Sequence, residues 1–140
     1  MTETAPRPAS RSRRTAACLI DLVLCGTLAV AVEEAAERLT TLWDEPAAAL
    51  AGFLYFWLLH ARYGQTPGKR LLGIKVISPA TGLPPSFQAA AYRAAFYTVI
   101  TLTPGVGLLI AAMDGLHLFL NDRRQCLHDM LAGTVVVRTS

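Results

Sequence analysis

Long apolar runs that end in basic, glycine-containing segments are the feature that most constrains how this chain can fold. One such segment begins at Gly64 and another at Asp122, and each directly adjoins apolar sequence. Basic loops at the ends of apolar segments are typical of the cytoplasmic side of membrane proteins. Of the 140 residues, 53% are hydrophobic and 16% are charged, whereas a soluble domain carries about 25% charged residues. The sequence therefore predicts a small protein that lies in the lipid bilayer.

The sign of the charge changes along the chain, and this pattern predicts how the chain crosses the membrane. Residues 1–14 hold four arginines and one glutamate, whereas residues 33–45 hold five acidic residues and one arginine. The segments 64–85 and 123–138 are again basic. Because loops rich in Arg and Lys stay in the cytoplasm, an even number of spans separates these two segments. We therefore expect both termini to be cytoplasmic and the acidic segment to be outside.

Four apolar segments are candidates for the spans of a helical bundle. They cover residues 14–32, residues 46–63, Phe87–Leu102 and Val106–Leu120. A Thr-Pro-Gly turn at residue 104 separates the last two, because proline disfavours helix in the residue before it. Both are slightly shorter than the ~20 residues of a usual span, so one span with amphipathic flanks is the alternative. Two crossings agree better with the charge pattern, and we expect four spans.

Two short β-branched runs predict a small β-structure outside the membrane. One is Ile74–Ile77, and the other is the Thr-Val-Val-Val run at residues 134–137. An isolated strand leaves its backbone groups unpaired, so we expect the two runs to pair. The predicted fold is an all-α membrane protein, a four-helix transmembrane bundle with a short cytoplasmic β-pairing. Residues 1–10 are polar, and we expect them to form a disordered tail before a transmembrane domain of residues 11–138.

Asp21 on the first span is the leading candidate for a functional residue. It shares one face of the helix with Arg14, Cys18 and Cys25. A charged aspartate inside a bilayer costs on the order of 3 kcal/mol, so it must face the bundle, pair with a cation or become protonated. Arg14 and Arg93 are its candidate counter-ions, although Arg93 is also placed to extend to the lipid headgroups. The alternative role for Asp21 is a hydrogen-bonding anchor in helix packing.

The fourth span and the C-terminal segment carry further polar side chains. Asp114 and His117 are three residues apart and share a helix face with Asn121. Such residues can relay a proton or bind a cation, but a hydrogen-bonded pair that packs against neighbouring helices is the more common arrangement. Asp129 lies in a short predicted helix that ends at Gly133. We expect its carboxylate to pair with a nearby Arg or Lys.

The sequence lacks the motifs of the common enzyme classes. The loop 64–70 superficially resembles a phosphate-binding loop, but it has three residues rather than four between its glycines and an arginine after its lysine. Its residues are Gly64, Gln65, Thr66, Pro67, Gly68, Lys69 and Arg70. We find no nucleophile with a neighbouring base and no zinc-type ligand spacing. We therefore expect no catalysis, metal, cofactor or nucleic acid, and we expect the lone His60 at the membrane interface.

These segments together resemble the RDD family of small bacterial and archaeal membrane proteins, which is named for one arginine and two aspartates. The matching residues are Arg14 and Asp21 on the first span and Asp129 near the C-terminus. The segment 64–76, GQTPGKRLLGIKV, is similar to the family's middle motif, and Arg93 is similar to its later arginine. The likeness covers nearly the whole chain. It implies a multi-pass protein of the bacterial inner membrane; transport is proposed for the family, and sodium/proton exchange is attributed to some members.

Two functions agree with this pattern. The leading hypothesis is movement of a small ion or solute, such as cation/proton exchange, by a homo-oligomer, because four short spans enclose little volume. Asp21 would be the titratable site, Arg14 or Arg93 its counter-ion, and Asp129 a cytoplasmic latch. The alternative is a non-transporting scaffold or accessory subunit, in which these residues fix the helix packing and the basic loops bind lipid or a partner protein.

Overall fold

The protein is mostly helical, as the sequence predicts. The computed structural model describes residues 7–38, 44–103 and 105–139. The elements in these ranges are α1 (Arg11–Glu37), α2 (Asp44–Tyr63), α3 (Pro67–Leu71), β1 (Ile74–Ile77), α4 (Phe87–Leu102), α5 (Val106–Leu120), α6 (Leu127–Leu131) and β2 (Val135–Arg138).

Each of the four predicted spans corresponds to one of the four long helices, α1, α2, α4 and α5. The limits of α4 and α5 are those predicted, and Pro104 between them lies outside the described residues. By length and composition, α1 is the one described helix that is long and apolar enough to cross a membrane. Only 11% of its apolar stretch is buried inside the protein, unlike a core helix of a soluble domain. Helix α5 is apolar but shorter.

The predicted β-pairing is confirmed, with a shift of one residue in the second strand. Strands β1 and β2 form an antiparallel pair in which Ile74 faces Arg138 and Ile77 faces Val135. The second strand begins at Val135 rather than at Thr134. The hydroxyl of Thr134 is instead a hydrogen-bond acceptor for a buried arginine, as described below.

The N-terminal segment extends this sheet, which corrects part of the predicted tail. Pro8 forms an antiparallel bridge with Val137, and the Ala9 amide donates to the Val136 carbonyl at 3.0 Å. Ala9 is completely buried. Residues 7–10 are therefore not part of a disordered tail, because β2 offers them a free edge and an apolar contact. Residues 1–6 lie outside the described residues.

One end of the four long helices carries a small unit that we call the cap: α3, α6, β1, β2 and residues 7–9. The start of α1 lies beside the end of α5, since Arg11 donates to the Leu118 carbonyl at 3.1 Å. The apolar core of the cap packs onto the first turns of α1. It consists of Ala9, Ala17, Ile74, Val76 and Val136. The cap thus covers the helix ends that carry most of the predicted polar residues.

Candidate functional site

Asp129 of α6 lies at the centre of a buried ion cluster. Its carboxylate binds Arg14 of α1 and Arg93 of α4. Its Oδ2 also accepts from the Cys126 amide at 3.0 Å, which satisfies an N–H in the first turn of α6. Arg93 donates in addition to Thr134 Oγ1 at 2.7 Å. Both Asp129 and Arg93 are 0% exposed, so water does not screen this pair.

Two guanidinium groups keep Asp129 ionised. Burial by itself disfavours the charged carboxylate, but Arg93 and Arg14 outweigh burial and hold the pKa of Asp129 well below its usual range. Burial lowers the pKa of the neighbouring His128 below its ordinary value. The cluster therefore holds a permanent carboxylate beside an imidazole that favours the neutral form.

A hydrogen-bond chain joins α5, α6 and α4 beside this cluster. Asp114 Oδ2 and His128 Nδ1 are 2.8 Å apart, and Asp114 Oδ1 accepts from the His128 amide at 3.0 Å. His128 Nε2 lies 2.9 Å from the hydroxyl oxygen of Tyr97. A carboxylate can only accept, so Nδ1 carries the proton of the neutral ring and Nε2 accepts from Tyr97. These hydrogen bonds fix both the tautomer and the orientation of the His128 ring.

The second cluster surrounds Asp21 and joins α1 to α3. Its Oδ1 accepts from the Gly68 amide at 2.9 Å and from the Tyr55 hydroxyl at 3.3 Å. Its Oδ2 accepts from the Thr66 hydroxyl, and Lys69 Nζ lies 3.7 Å away. One buried carboxylate therefore has neutral and charged donors from α3, from Thr66 just before α3 and from Tyr55 of α2. Burial lowers the pKa of Lys69 despite its pairing with Asp21.

The match to a family model covers both clusters except Thr134. The model of the RDD family matches residues 8–133, which is most of the chain. The chain belongs to the RDD family. Comparison with curated proteins and with solved structures gives no match. Family membership and the long apolar helix α1 together indicate that this RDD protein is a membrane protein.

The counter-ions predicted for Asp21 in this RDD protein are wrong. Arg14 and Arg93 both bind Asp129, and Lys69 of the loop 64–70 is the cation beside Asp21. Arg93 also does not extend to the headgroups, because its side chain is fully buried. The physical reason is the position of the cap: α6 packs against α4 and α5, and its Asp129 carboxylate bridges Arg93 of α4 and Arg14 of α1.

Two histidines also differ from the prediction. His60 is 0% exposed rather than interfacial, and its Nδ1 lies 2.7 Å from the Phe56 carbonyl oxygen one helical turn earlier. His117 does not pair with Asp114; its Nδ1 lies 2.9 Å from the Gln125 carbonyl oxygen. Asp114 is free to bind His128 because α6 packs against the same face of α5.

The loop 64–70 of this RDD protein owes its shape to its glycines. Gly64 has a φ of +65°, which an L side chain rarely adopts, and its carbonyl accepts from the Val76 amide at 2.7 Å. A Cβ atom at Gly68 would lie 2.5 Å from the Ala17 carbonyl oxygen and 2.9 Å from Asp21 Oδ1. The remaining members serve the same loop: Gln65 donates to the Ile74 carbonyl, Pro67 begins α3 and Arg70 is exposed.

The buried ions of the described residues balance. They comprise three carboxylates and three cations: Asp21, Asp114 and Asp129 with Arg14, Lys69 and Arg93. With His128 neutral, the site carries no net charge. Three partners in this network were not predicted from the sequence: Tyr97, Cys126 and Thr134. Their only common signal is a hydrogen-bonding side chain next to an apolar run, which is too frequent to predict a contact.

Proposed function

We propose that this RDD protein is a four-span, non-transporting scaffold of the bacterial inner membrane, with the cap and both termini in the cytoplasm. The observation that carries the proposal is that buried carboxylates tie both cap helices to the long helices. Asp21 of α1 accepts from the α3 amide of Gly68, and Asp114 of α5 accepts from the α6 amide of His128. Buried carboxylates that are hydrogen-bonded in this way rigidify a structure and specify one packing.

The outer faces of the long helices support the four-span arrangement. Large apolar side chains are exposed on all four of them, among them Leu22 and Val23 on α1, Leu50 on α2, Val99 on α4 and Leu108 on α5, each at least 51% exposed. An apolar surface of this extent requires lipid or a partner. Helices α4 and α5 are shorter than a usual span, which a membrane accommodates by local thinning.

The positive charge of the cap supports a position on the cytoplasmic side and a role at the membrane surface. Its exposed arginines, together with those at the adjoining helix ends, include Arg7, Arg13, Arg62, Arg70, Arg123, Arg124 and Arg138. Basic residues next to spans stay in the cytoplasm, and each contributes about 1 kcal/mol of attraction to anionic lipid headgroups. We infer that anionic lipid is the surface on which the scaffold positions its cap.

Cysteine labelling tests the topology. In a variant whose native cysteines are replaced, Glu34→Cys on the last turn of α1 should react with a membrane-impermeant maleimide in intact spheroplasts. Ala80→Cys, which lies after β1, should react only after permeabilisation. Both positions are exposed, so accessibility depends on the side of the membrane. Labelling of both positions from the same side would contradict the four-span arrangement.

Cation/proton exchange is the second candidate function, and the Asp21–Lys69 pair favours it. A buried lysine with a lowered pKa beside a carboxylate is able to release its proton, and the carboxylate is then free to bind a cation. The two proposals differ in proteoliposomes. The scaffold proposal expects no cation-driven pH change above that of protein-free liposomes.

Exchange activity in the wild type would contradict the scaffold proposal if Asp21→Asn abolishes it while the exposed control Asp122→Asn retains it. The lipid role has its own measurement. Thermal stability in nanodiscs of phosphatidylglycerol should exceed that in phosphatidylcholine, and equal stability in the two lipids would remove anionic lipid from the proposal.

A further inference from the structure

A carboxylate, a thiol and an imidazole meet where α5 and α6 pack together. The three side chains of Asp114, Cys126 and His128 are buried, and one donor atom from each lies within 4.8 Å of the other two. Tetrahedral zinc holds nitrogen and oxygen ligands about 3.3 Å apart and sulfur and nitrogen ligands about 3.6 Å apart. The His128 Nδ1–Asp114 Oδ2 distance is already 2.8 Å. Side-chain movements of about 1 Å therefore suffice to bring all three donors onto one ion.

We propose that Asp114, Cys126 and His128 form a binding site for a divalent transition metal ion, with Zn²⁺ as the ion that best fits the donors. A thiolate with an imidazole and one carboxylate selects a borderline cation, whereas Mg²⁺ and Ca²⁺ prefer oxygen ligands alone. Three protein ligands leave a fourth position for water. Sequence spacing does not reveal the site, because Asp114 lies twelve residues before the Cys-x-His pair.

The surroundings of the thiol suit metal binding. Burial raises the pKa of the Cys126 thiol to about 12, but Arg14 Nη2 lies 3.2 Å from Cys126 Sγ and acts against burial by favouring the thiolate that a metal requires. Asp129 binds the same guanidinium and so limits its repulsion of the cation. When the metal binds, the Cys126 S–H bond breaks, the sulfur electron pair forms the metal bond, and about one proton is released to solvent.

His128 also has the outer partner that metal-bound histidines use. If Nδ1 binds the ion, the ring proton moves to Nε2, which then donates to the Tyr97 hydroxyl oxygen at its present distance of 2.9 Å. The total number of protons on the ring does not change. The metal would join α5 directly to α6 and so hold the cap on the helix end. The proposal does not depend on the scaffold function, because a transporter could carry the same site.

Cobalt substitution tests the proposal on the full-length protein in detergent after removal of metal with EDTA. Addition of Co²⁺ should produce the near-ultraviolet thiolate-to-cobalt band and the visible bands of a tetrahedral site, and equimolar Zn²⁺ should abolish both. The Cys126→Ser variant should lack the thiolate band, and His128→Gln should bind Co²⁺ at least tenfold more weakly. The control is Cys18→Ser, whose thiol is exposed on α1 and should leave the spectrum unchanged.

Loss of folding is separated from loss of ligands by a second measurement. Zn²⁺ should raise the midpoint of thermal unfolding of the wild type and of Cys18→Ser, but not that of Cys126→Ser, whose metal-free melting curve reports whether it folds. The proposal is overturned if wild type shows no thiolate band with Co²⁺, or if Cys126→Ser keeps wild-type affinity for the ion.

Discussion

The Asp129→Asn substitution removes the carboxylate that holds α6 between α1 and α4. Arg93 Nε and Nη2 already lack a hydrogen-bond partner among the described residues, and the guanidinium would then remain fully buried without its carboxylate. Removal of one member of a buried ion pair costs about 3–5 kcal/mol, because the other charge is left uncompensated. Arg93 keeps Thr134 and Arg14 keeps the Arg124 carbonyl, so we expect a loss within this range rather than twice as large.

The reactivity of the Cys126 thiol measures this loss of stability at α6 itself. Cys126 is 6% exposed, and its amide donates to the Asp129 carboxylate, so the thiol becomes accessible when α6 leaves its position. In a Cys18→Ser/Cys25→Ser background with EDTA present, Asp129→Asn should increase the rate of maleimide labelling. A loss of about 3 kcal/mol corresponds to an increase of roughly 150-fold, since 1.4 kcal/mol is tenfold.

The matched control is Asp122→Asn, an exposed carboxylate four residues before the thiol. An exposed substitution changes stability by less than about 0.5 kcal/mol, so its labelling rate should stay within about twofold of the parent. If Asp129→Asn labels at the parent rate and melts at the parent temperature, the ion cluster does not hold α6 and the reasoning is refuted.

Three further predictions concern the same network. Asp21→Asn leaves the Lys69 ammonium unpaired and should lower the free energy of unfolding by about 3 kcal/mol, whereas Asp21→Asn/Lys69→Met should lose less, as measured by unfolding in detergent. Gly68→Ala should cost about 1–3 kcal/mol, because its Cβ has no room between two oxygens of α1. The same assay on Gly26→Ala, whose Cβ meets nothing within 4 Å, should show no loss. The lowered pKa of Asp129 means that its ionised form contributes fully above the unfolded value near 3.8 and that the contribution is lost as the pH falls. The stability difference between wild type and Asp129→Asn should therefore be constant from pH 7 to 5 and narrow below about pH 4.

For each of these three predictions, one result would contradict the reasoning. Equal losses for Asp21→Asn and the double variant would mean that Lys69 does not depend on Asp21 for its charge compensation. A wild-type melting curve for Gly68→Ala would mean that a Cβ atom fits between α3 and α1. The two helices would then lie farther apart than the distances of 2.5 and 2.9 Å from that Cβ to oxygens of α1 indicate. A stability difference that already narrows at pH 6 would mean that Asp129 is not held ionised by its arginines.

The sequence by itself determined the four long helices and the β-pairing, whereas α3 lies where the sequence predicted only a loop. The limits of α4 and α5 follow from apolar runs on either side of a Pro-Gly turn, and α2 follows from the apolar run 46–63, which the structure extends to Asp44. The pairing of β1 with β2 follows from two β-branched runs that the charge pattern predicts on the same side of the membrane. These features depend on local backbone preferences and on hydrophobic periodicity, which neighbouring residues decide.

Only the tertiary structure decided which charges meet. Arg14 and Asp129 are 115 positions apart, and the sequence offered a nearer carboxylate on the same helix face as Arg14. Whether Arg14 pairs with Asp21 or with Asp129 depends on where the turn after α5 places α6. The spacing of residues along the sequence does not predict that position. For Asp21 the sequence left open a position facing the bundle, a cationic partner or protonation, and the packing of the cap places Lys69 beside it.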